Sequence, residues 1–379
     1  MSREFIRQLP SHHGNLKPPS WLDRLHLDLP LLIGLLLLGA GSLLILFSAG
    51  NEHMDLLVRQ SVRFGIGFGA LFVLAQLPPR SFRFWAPALY GISLIMLILV
   101  DILGIEAKGA QRWLTLPLIG QFQPAELMKV ALPMTLAWYF HDKTLPPRYH
   151  HLLLAGVITF VPVLLVAAQP DLGTALLILF SGLMLLFLAG LPWRLILLAV
   201  VAVAIIAPLM YFFVLHDYQR QRIDTFLNPE SDKLGAGWNI IQSKTAIGSG
   251  GIFGKGWLHG TQSRLDFLPE STTDFIFAVL AEEFGLIGII LLLTGYLFVI
   301  GRCLWICLRT QDTFARLLAA TLTFTFFIYV FINMGMVSGL LPVVGVPLPL
   351  ISYGGTSIVT LLSGFGIIMS IATHRRLLN

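Results

Sequence analysis

Long apolar runs alternate with short polar breaks along most of this chain. Ten runs are long enough to cross a bilayer as helices, a task that takes about 20 residues each. They fall roughly at 29–48, 56–77, 85–103, 123–140, 152–169, 172–190, 193–215, 273–301, 317–337 and 350–372. The fifth and sixth are joined by a tight turn at Gln169-Pro-Asp-Leu-Gly-Thr174. The pattern predicts an all-α polytopic membrane protein. Residues 1–28 form a polar N-terminal segment, 29–373 a single membrane domain, and 374–379 a short tail. A long polar loop, 216–272, separates the seventh and eighth spans. The apolar run after the N-terminal segment is too long for the core of a signal peptide, so the first span reads as a retained helix.

The basic residues orient the spans. With the N-terminus in the cytoplasm, the cytoplasmic segments hold Arg3, Arg7, Lys17, Arg24, Arg80, Arg83, Lys143, Arg148, Arg194, Arg302, Arg309, Arg316, Arg375 and Arg376. The short outer loops hold only Lys108 and Arg112. Loop 216–272 adds six more cations, but long loops weigh little in the positive-inside rule. Both termini are therefore expected in the cytoplasm and the long loop outside.

Composition agrees: 56% of residues are hydrophobic and 12% charged, against about 25% charged in a soluble domain. The net charge of +5 follows from the loop bias and is no signature of nucleic-acid binding. The two cysteines, Cys303 and Cys307, share one helical face at the cytoplasmic end of the eighth span. They exclude a disulfide framework, and a metal site would need more ligands. No internal repeat stands out, which weakens an inverted-repeat transporter reading.

Two outer segments are too polar and aromatic for simple connectors. One runs from Gly104 through Gly109-Ala-Gln-Arg-Trp113 to Phe122-Gln-Pro-Ala-Glu126. The other is 216–272, with His216–Arg222, Phe226–Asp232 and the glycine-rich Gly248–Gly260. A structureless loop of this length is unusual and usually functional. The glycines fit no nucleotide motif. Ser249 stands where a P-loop needs its first glycine, and Phe253 where a dinucleotide fingerprint needs its third. What is left is either a flexible surface loop or a backbone rich in N–H donors, flanked by Lys255 and His259, able to wrap a pyrophosphate.

Charges inside apolar helices need a partner or a function. Glu126 and Lys129 stand three residues apart on the fourth span and can pair along one face. They form either a structural bridge or a polar groove in which Lys129 holds a phosphate. Arg63 is a further intramembrane cation on the second span. Asp274 opens the eighth span, with Thr272 or Thr273 as its cap. It serves either the helix dipole or a reaction at the outer surface. Glu282 is turned roughly 80° around the helix from Asp274, so a two-carboxylate glycosidase site is not supported.

These motifs, in this order, resemble the SEDS (shape, elongation, division, sporulation) family of membrane peptidoglycan polymerases over nearly the whole chain. The match takes in Gly109–Trp113, Phe122–Glu126 with Lys129, and Gln169–Thr174. It continues through Gly248–Gly251, Gly254–Gln262, Leu268–Phe277 and Pro347–Gly355. The run Gly256-Trp-Leu-His-Gly-Thr-Gln262 favours the rod-elongation branch over the division branch. Ala125 stands where the family often has serine, beside an unaltered Glu126.

The resemblance implies a glycosyltransferase that polymerises lipid II into β-1,4 glycan strands at the outer face of the bacterial cytoplasmic membrane. It makes Asp274 the essential residue, as general base on the acceptor GlcNAc 4-hydroxyl. Lys129, Arg112, Arg63, Lys244, Lys255 and His259 become candidate substrate contacts, together with Glu126, Gln123 and Trp113. No nucleotide or other cofactor is called for, and a divalent cation is left open. The implied partner is a class B penicillin-binding protein, a transpeptidase, meeting the eighth and ninth spans and loop 216–272. The rival readings are a lipid II flippase and a non-catalytic scaffold. A flippase predicts functional charges through the full membrane depth, whereas Asp274, Arg112 and the loop cations cluster at one face.

Overall fold

The computed structural model describes residues 25–107, 110–116, 120–213, 236–265 and 270–374, with single positions at 220, 224, 228, 267 and 268. The predicted tail 374–379 apart from His374, most of segment 1–28, Lys108, and most of the motifs His216–Arg222 and Phe226–Asp232 lie outside the described residues. The elements in chain order are α1 (Leu29–Ala49), α2 (Met54–Gln76), α3 (Pro79–Leu103), β1 (Ile105–Ala107), β2 (Ala110–Leu116) and β3 (Gly120–Phe122). They continue with α4 (Pro124–Phe140), α5 (Tyr149–Ala168), α6 (Leu172–Leu188), α7 (Trp193–Phe213), α8 (Ala236–Gly250) and α9 (Thr261–Arg264). The last three are α10 (Ile276–Arg309), α11 (Thr313–Val337) and α12 (Thr356–Thr373).

Eight of these helices are long and apolar enough to cross a membrane. The other two predicted spans, α4 and α6, are 17-residue helices, at the short limit for crossing. Side-chain caps fix several starts. Asp28 accepts from Leu31 N at α1, Asp171 from Thr174 N at α6, and Asp312 from Ala315 N at α11. Asp28 also receives both arms of Arg302 at 2.9 and 2.7 Å, which binds the start of α1 to the far end of α10.

Small residues let helices approach closely where there is no hydrophobic drive between them. Gly34 faces Val299 and Gly295 faces Leu38, setting α1 antiparallel against α10. Gly67 faces Leu362, and a Cβ at Gly366 would lie 2.6 Å from the Leu71 carbonyl, so α2 and α12 pack backbone to backbone. α4, α11 and α12 are the most enclosed helices. α7 has no buried residue among those described and stands at the periphery.

Three features depart from the sequence reading. First, β1, β2 and β3 form a small antiparallel sheet in a region expected to be loop, pairing Ile105 with Trp113 and Leu114 with Phe122. The alternating Ala110-Gln-Arg-Trp-Leu-Thr-Leu116 explains it, since period-two segments suit strands. Second, loop 216–272 is not structureless, because it contains α8 and α9. Third, the last span begins at Thr356 instead of 350. Pro347, Pro349 and the Gly354-Gly355 pair break the helical pattern before it.

That last departure frames the site. Residues 346–352 are irregular yet nearly all buried, so their backbone must find partners inside the protein. Helices on several sides supply them. Asn333 Nδ2 of α11 donates to Val346 O at 2.7 Å, and Tyr296 Oη of α10 to Pro349 O at 2.6 Å. Ser42 Oγ of α1 donates to Ile351 O at 2.7 Å, and Gln60 Nε2 of α2 to Ser352 O at 3.0 Å.

At the opposite face, His26 and His374 stack with ring centroids 3.9 Å apart. Burial, and then the neighbouring His374, push the His26 imidazole below its ordinary value. A depressed histidine binds its proton more readily in the unfolded chain, so its contribution is complete above about 6.5 and declines as pH falls below that. Melting of the purified protein at pH 7.5 and 5.5 should show a drop that is smaller in His26→Gln. Equal drops in both proteins would refute the coupling.

Candidate active site

Asp274 lies in a turn two residues ahead of α10, whose first helical residue is Ile276. It does not open the helix. Neither Thr272 nor Thr273 caps that helix, because Phe275 occupies the N-cap without a side-chain bond. Thr273 Oγ1 donates to Glu270 Oε2 at 2.8 Å instead.

The turn is held through its main chain. Tyr353 N donates to Thr272 O at 2.8 Å, and Ser352 Oγ to Thr273 O at 2.5 Å. Asn333 Nδ2 donates to Asp274 O at 2.9 Å. Three successive carbonyls are thereby fixed by the buried segment 346–353 and by α11. The Asp274 side chain is half-buried, and its Oδ2 would lie 3.5 Å from a Cβ added at Gly345. A positioned carboxylate at the rim of the bundle is suited to taking a proton from a bound hydroxyl.

One helical turn before Asn333, Tyr329 reaches α4. Lys129 Nζ sits 2.6 Å from Glu126 Oε1 and also donates to Tyr329 Oη. All three side chains are almost fully buried. They close the polar end of a cavity of about 40 Å³ between α4, α11 and α12, whose other walls include Leu322, Phe326, Leu361 and Phe365. The site thus joins a fixed carboxylate to a polar patch beside an apolar slot, through Asn333 and Tyr329 on α11.

A second polar cluster sits on the turn between α5 and α6. Arg112, delivered by β2, donates through Nε to Gln169 O at 3.3 Å and through Nη2 to Pro170 O, and lies 3.8 Å from Asp171. Gln123, at the N-cap of α4, donates to Asp171 Oδ2 at 2.8 Å. Gln169 Nε2 returns to Leu97 O at 2.9 Å and Asp101 Oδ1 at 3.0 Å on α3. The sheet therefore carries Arg112 and Trp113 to the same end of the bundle as Glu126 and Lys129.

The remaining candidates are placed apart. Arg63 stacks over the Tyr353 ring at 4.3 Å, on the α2 side of the Asp274 turn. Lys244 lies against Gly339, where an added Cβ would come within 2.7 Å of its Nζ. Lys255 Nζ is 2.7 Å from the buried Glu282 carboxylate, and His259 Nδ1 is 2.8 Å from Trp257 O. Among the described residues, no group of three or more His, Cys, Asp or Glu side chains is arranged to hold a metal ion. Sequence reasoning missed Tyr329, Asn333, Ser352 and Tyr353. The last two stand inside the quoted Pro347–Gly355 motif. Tyr329 and Asn333 are four apart on one face of α11, the only signal the sequence offered.

A family model described as cell cycle protein, covering the FtsW, RodA and SpoVE proteins, matches residues 20–377. The chain is 53% identical over 365 residues to the peptidoglycan glycosyltransferase MrdB of Escherichia coli strain K12, covering 96% of this chain and 98% of that one. It is 37% identical to the MrdB of Helicobacter pylori strain J99, covering 93% and 91%. Among solved structures, one describing how a peptidoglycan synthase complex coordinates polymerization and crosslinking aligns with a TM-score of 0.82 at 33% identity, over 92% of this chain and 99% of that one. The crystal structure of the Thermus thermophilus rod shape determining protein RodA aligns with a TM-score of 0.70 at 31% identity, over 92% and 98%.

Proposed function

Since the chain belongs to the FtsW, RodA and SpoVE family and is a multi-pass peptidoglycan glycosyltransferase of the inner membrane, we propose that it polymerises lipid II at the periplasmic face with Asp274 as general base. The donor carries a pyrophosphate on its anomeric carbon, already a good leaving group. The element the protein must supply is a base. Asp274 takes the proton of the acceptor GlcNAc 4-hydroxyl as that oxygen attacks the donor anomeric carbon. The bond from that carbon to the pyrophosphate oxygen breaks, and the electron pair leaves with the pyrophosphate. A single displacement inverts the α-linked donor to a β-1,4 product.

The observation that carries this reading is the grip on three consecutive carbonyls, 272 to 274, by Tyr353, Ser352 and Asn333. A carboxylate needed only for a helix dipole would not call for such a frame. Lys129 and Arg112 are the cations placed to meet departing negative charge, each worth most where water is excluded. Arg63, Lys244 and His259 stay as contacts for the rest of the substrate, with Trp113 and Gln123 lining the approach and Glu126 orienting Lys129.

The partner is a class B penicillin-binding protein that cross-links the new strands, seated along α10, α11 and residues 216–272. The lipid-facing flank of α10 offers Leu286, Ile287, Ile290 and Leu291 as exposed apolar side chains for a single spanning helix to cover. The test is strand formation from lipid II by the purified chain, alone and with its transpeptidase. Product with the partner supports the reading. Transbilayer movement of lipid II with no product would establish the flippase instead.

A further inference from the structure

The glycine-rich stretch after α8 takes no part in the mechanism above, yet its geometry is specific. α10 is broken at Gly285, which has φ 61° and ψ −155°. In an unbroken helix the carbonyls of Glu282 and Glu283 would accept from the amides of Leu286 and Ile287. Here Lys255 N and Gly256 N donate to those carbonyls, each at 3.0 Å. The freed amides of Leu286 and Ile287 donate to Gly251 O at 3.0 Å and Ile252 O at 3.2 Å. The turn 251–256 is thus spliced into the hydrogen-bond ladder of α10.

The glycines are there because backbone meets backbone. A Cβ at Gly250 would lie 2.0 Å from Ala281 O, and one at Gly254, where φ is +80°, 2.1 Å from Glu283 O. The side chain of Glu282 completes the splice. It is fully buried and accepts from Lys255 Nζ at 2.7 Å, Thr261 N at 2.8 Å, Thr261 Oγ1 at 2.9 Å and Gln262 N at 3.1 Å.

The consequence falls on Asp274. The piece Ile276–Phe284 is a short helix whose angle to the rest of α10 is set by the turn and by Glu282, and Asp274 stands at its N-terminal end. We infer that Glu282, clamped by Lys255 and the start of α9, is a positioning residue that holds the Asp274 carboxylate at its reacting distance. The inference rests on Asp274 as the base. It also assigns Lys255 to the clamp and not to the substrate pyrophosphate.

The experiment uses the full chain with its transpeptidase partner and lipid II. Glu282→Gln keeps the size of the side chain and removes its charge. It should lower kcat roughly 10- to 100-fold, the scale of a displacement of about 1 Å, with KM changed less than about two-fold. Ile252→Cys with Ile287→Cys, whose backbones are already bonded, refastens the turn to α10 when oxidised. In the Glu282→Gln background the disulfide should restore most of kcat, and reductant should remove the gain. Should Glu282→Gln fail to fold, Lys255→Met is read in its place, with a smaller fall in kcat, an unchanged KM and the same recovery.

A folded Glu282→Gln with parental kcat overturns the inference, as does a formed disulfide without recovery. A raised KM in Lys255→Met that the disulfide leaves raised would return Lys255 to the substrate and overturn it too. Asp274→Asn carrying the disulfide is the separate control. Product from that variant would refute the base assignment while leaving the recovery measurement to stand on its own.

Discussion

The Asp274→Asn variant is expected to lose strand synthesis while keeping its fold and its partner. Asparagine preserves the shape of the side chain and cannot take up the proton of the acceptor hydroxyl. General-base catalysis contributes about 10²–10⁴-fold, so residual turnover should lie at or below about 1%. The fold should survive because the turn is held by the carbonyls of residues 272–274, none of which the substitution alters. Polymerisation is measured with lipid II and purified complex, alongside melting temperature and co-purification of the transpeptidase. Near-normal product from Asp274→Asn would remove the base from the mechanism. A fall in activity matched by loss of the complex would trace the defect to assembly.

The membrane architecture was legible in the sequence because bilayer thickness imposes a length on every apolar run. α1, α5 and α7 fall within a few residues of their predicted limits. The reading failed where polar groups are satisfied by tertiary contacts. Leu350, Ile351 and Ser352 look like the beginning of a helix, being apolar and continuous with one. Only the fold reveals that Ser42, Gln60, Asn333 and Tyr296 wait on four helices to receive the carbonyls of an irregular segment. The short sheet was missed because its strands, of 3, 7 and 3 residues, border long apolar runs whose helical pattern dominates the region.

The candidate site divides along the same line. Glu126 and Lys129 are three apart on one helix, so their pairing follows from helix geometry and is seen at 2.6 Å. The third member, Tyr329, comes from a helix about 200 positions later, as no local pattern foretells. The glycine-rich stretch was read as either a flexible loop or a pyrophosphate cradle. Its amides at Lys255 and Gly256 are instead committed to α10. Local composition reports that backbone must come close to something. It does not report whether that is a ligand or another helix.

Lys129→Met carries the second large expected effect. It leaves Glu126 buried opposite Tyr329 with its cation removed. Breaking a buried pair from one side typically destabilises by about 3–5 kcal/mol, because a charge is left without compensation. Melting temperature should fall together with activity, so the single variant cannot separate a structural bridge from a phosphate contact. The exchanged pair, Glu126→Lys with Lys129→Glu, separates them. Both charges are then present on one face of α4, and Tyr329 Oη can donate to a carboxylate at position 129 as it now accepts from the ammonium. Stability should return toward the parent value. If Lys129 meets the pyrophosphate, strand synthesis stays absent, because the cation has moved one turn and a carboxylate faces the anion. Activity recovering with stability would make the pair structural alone and leave Arg112 as the cation at the leaving group.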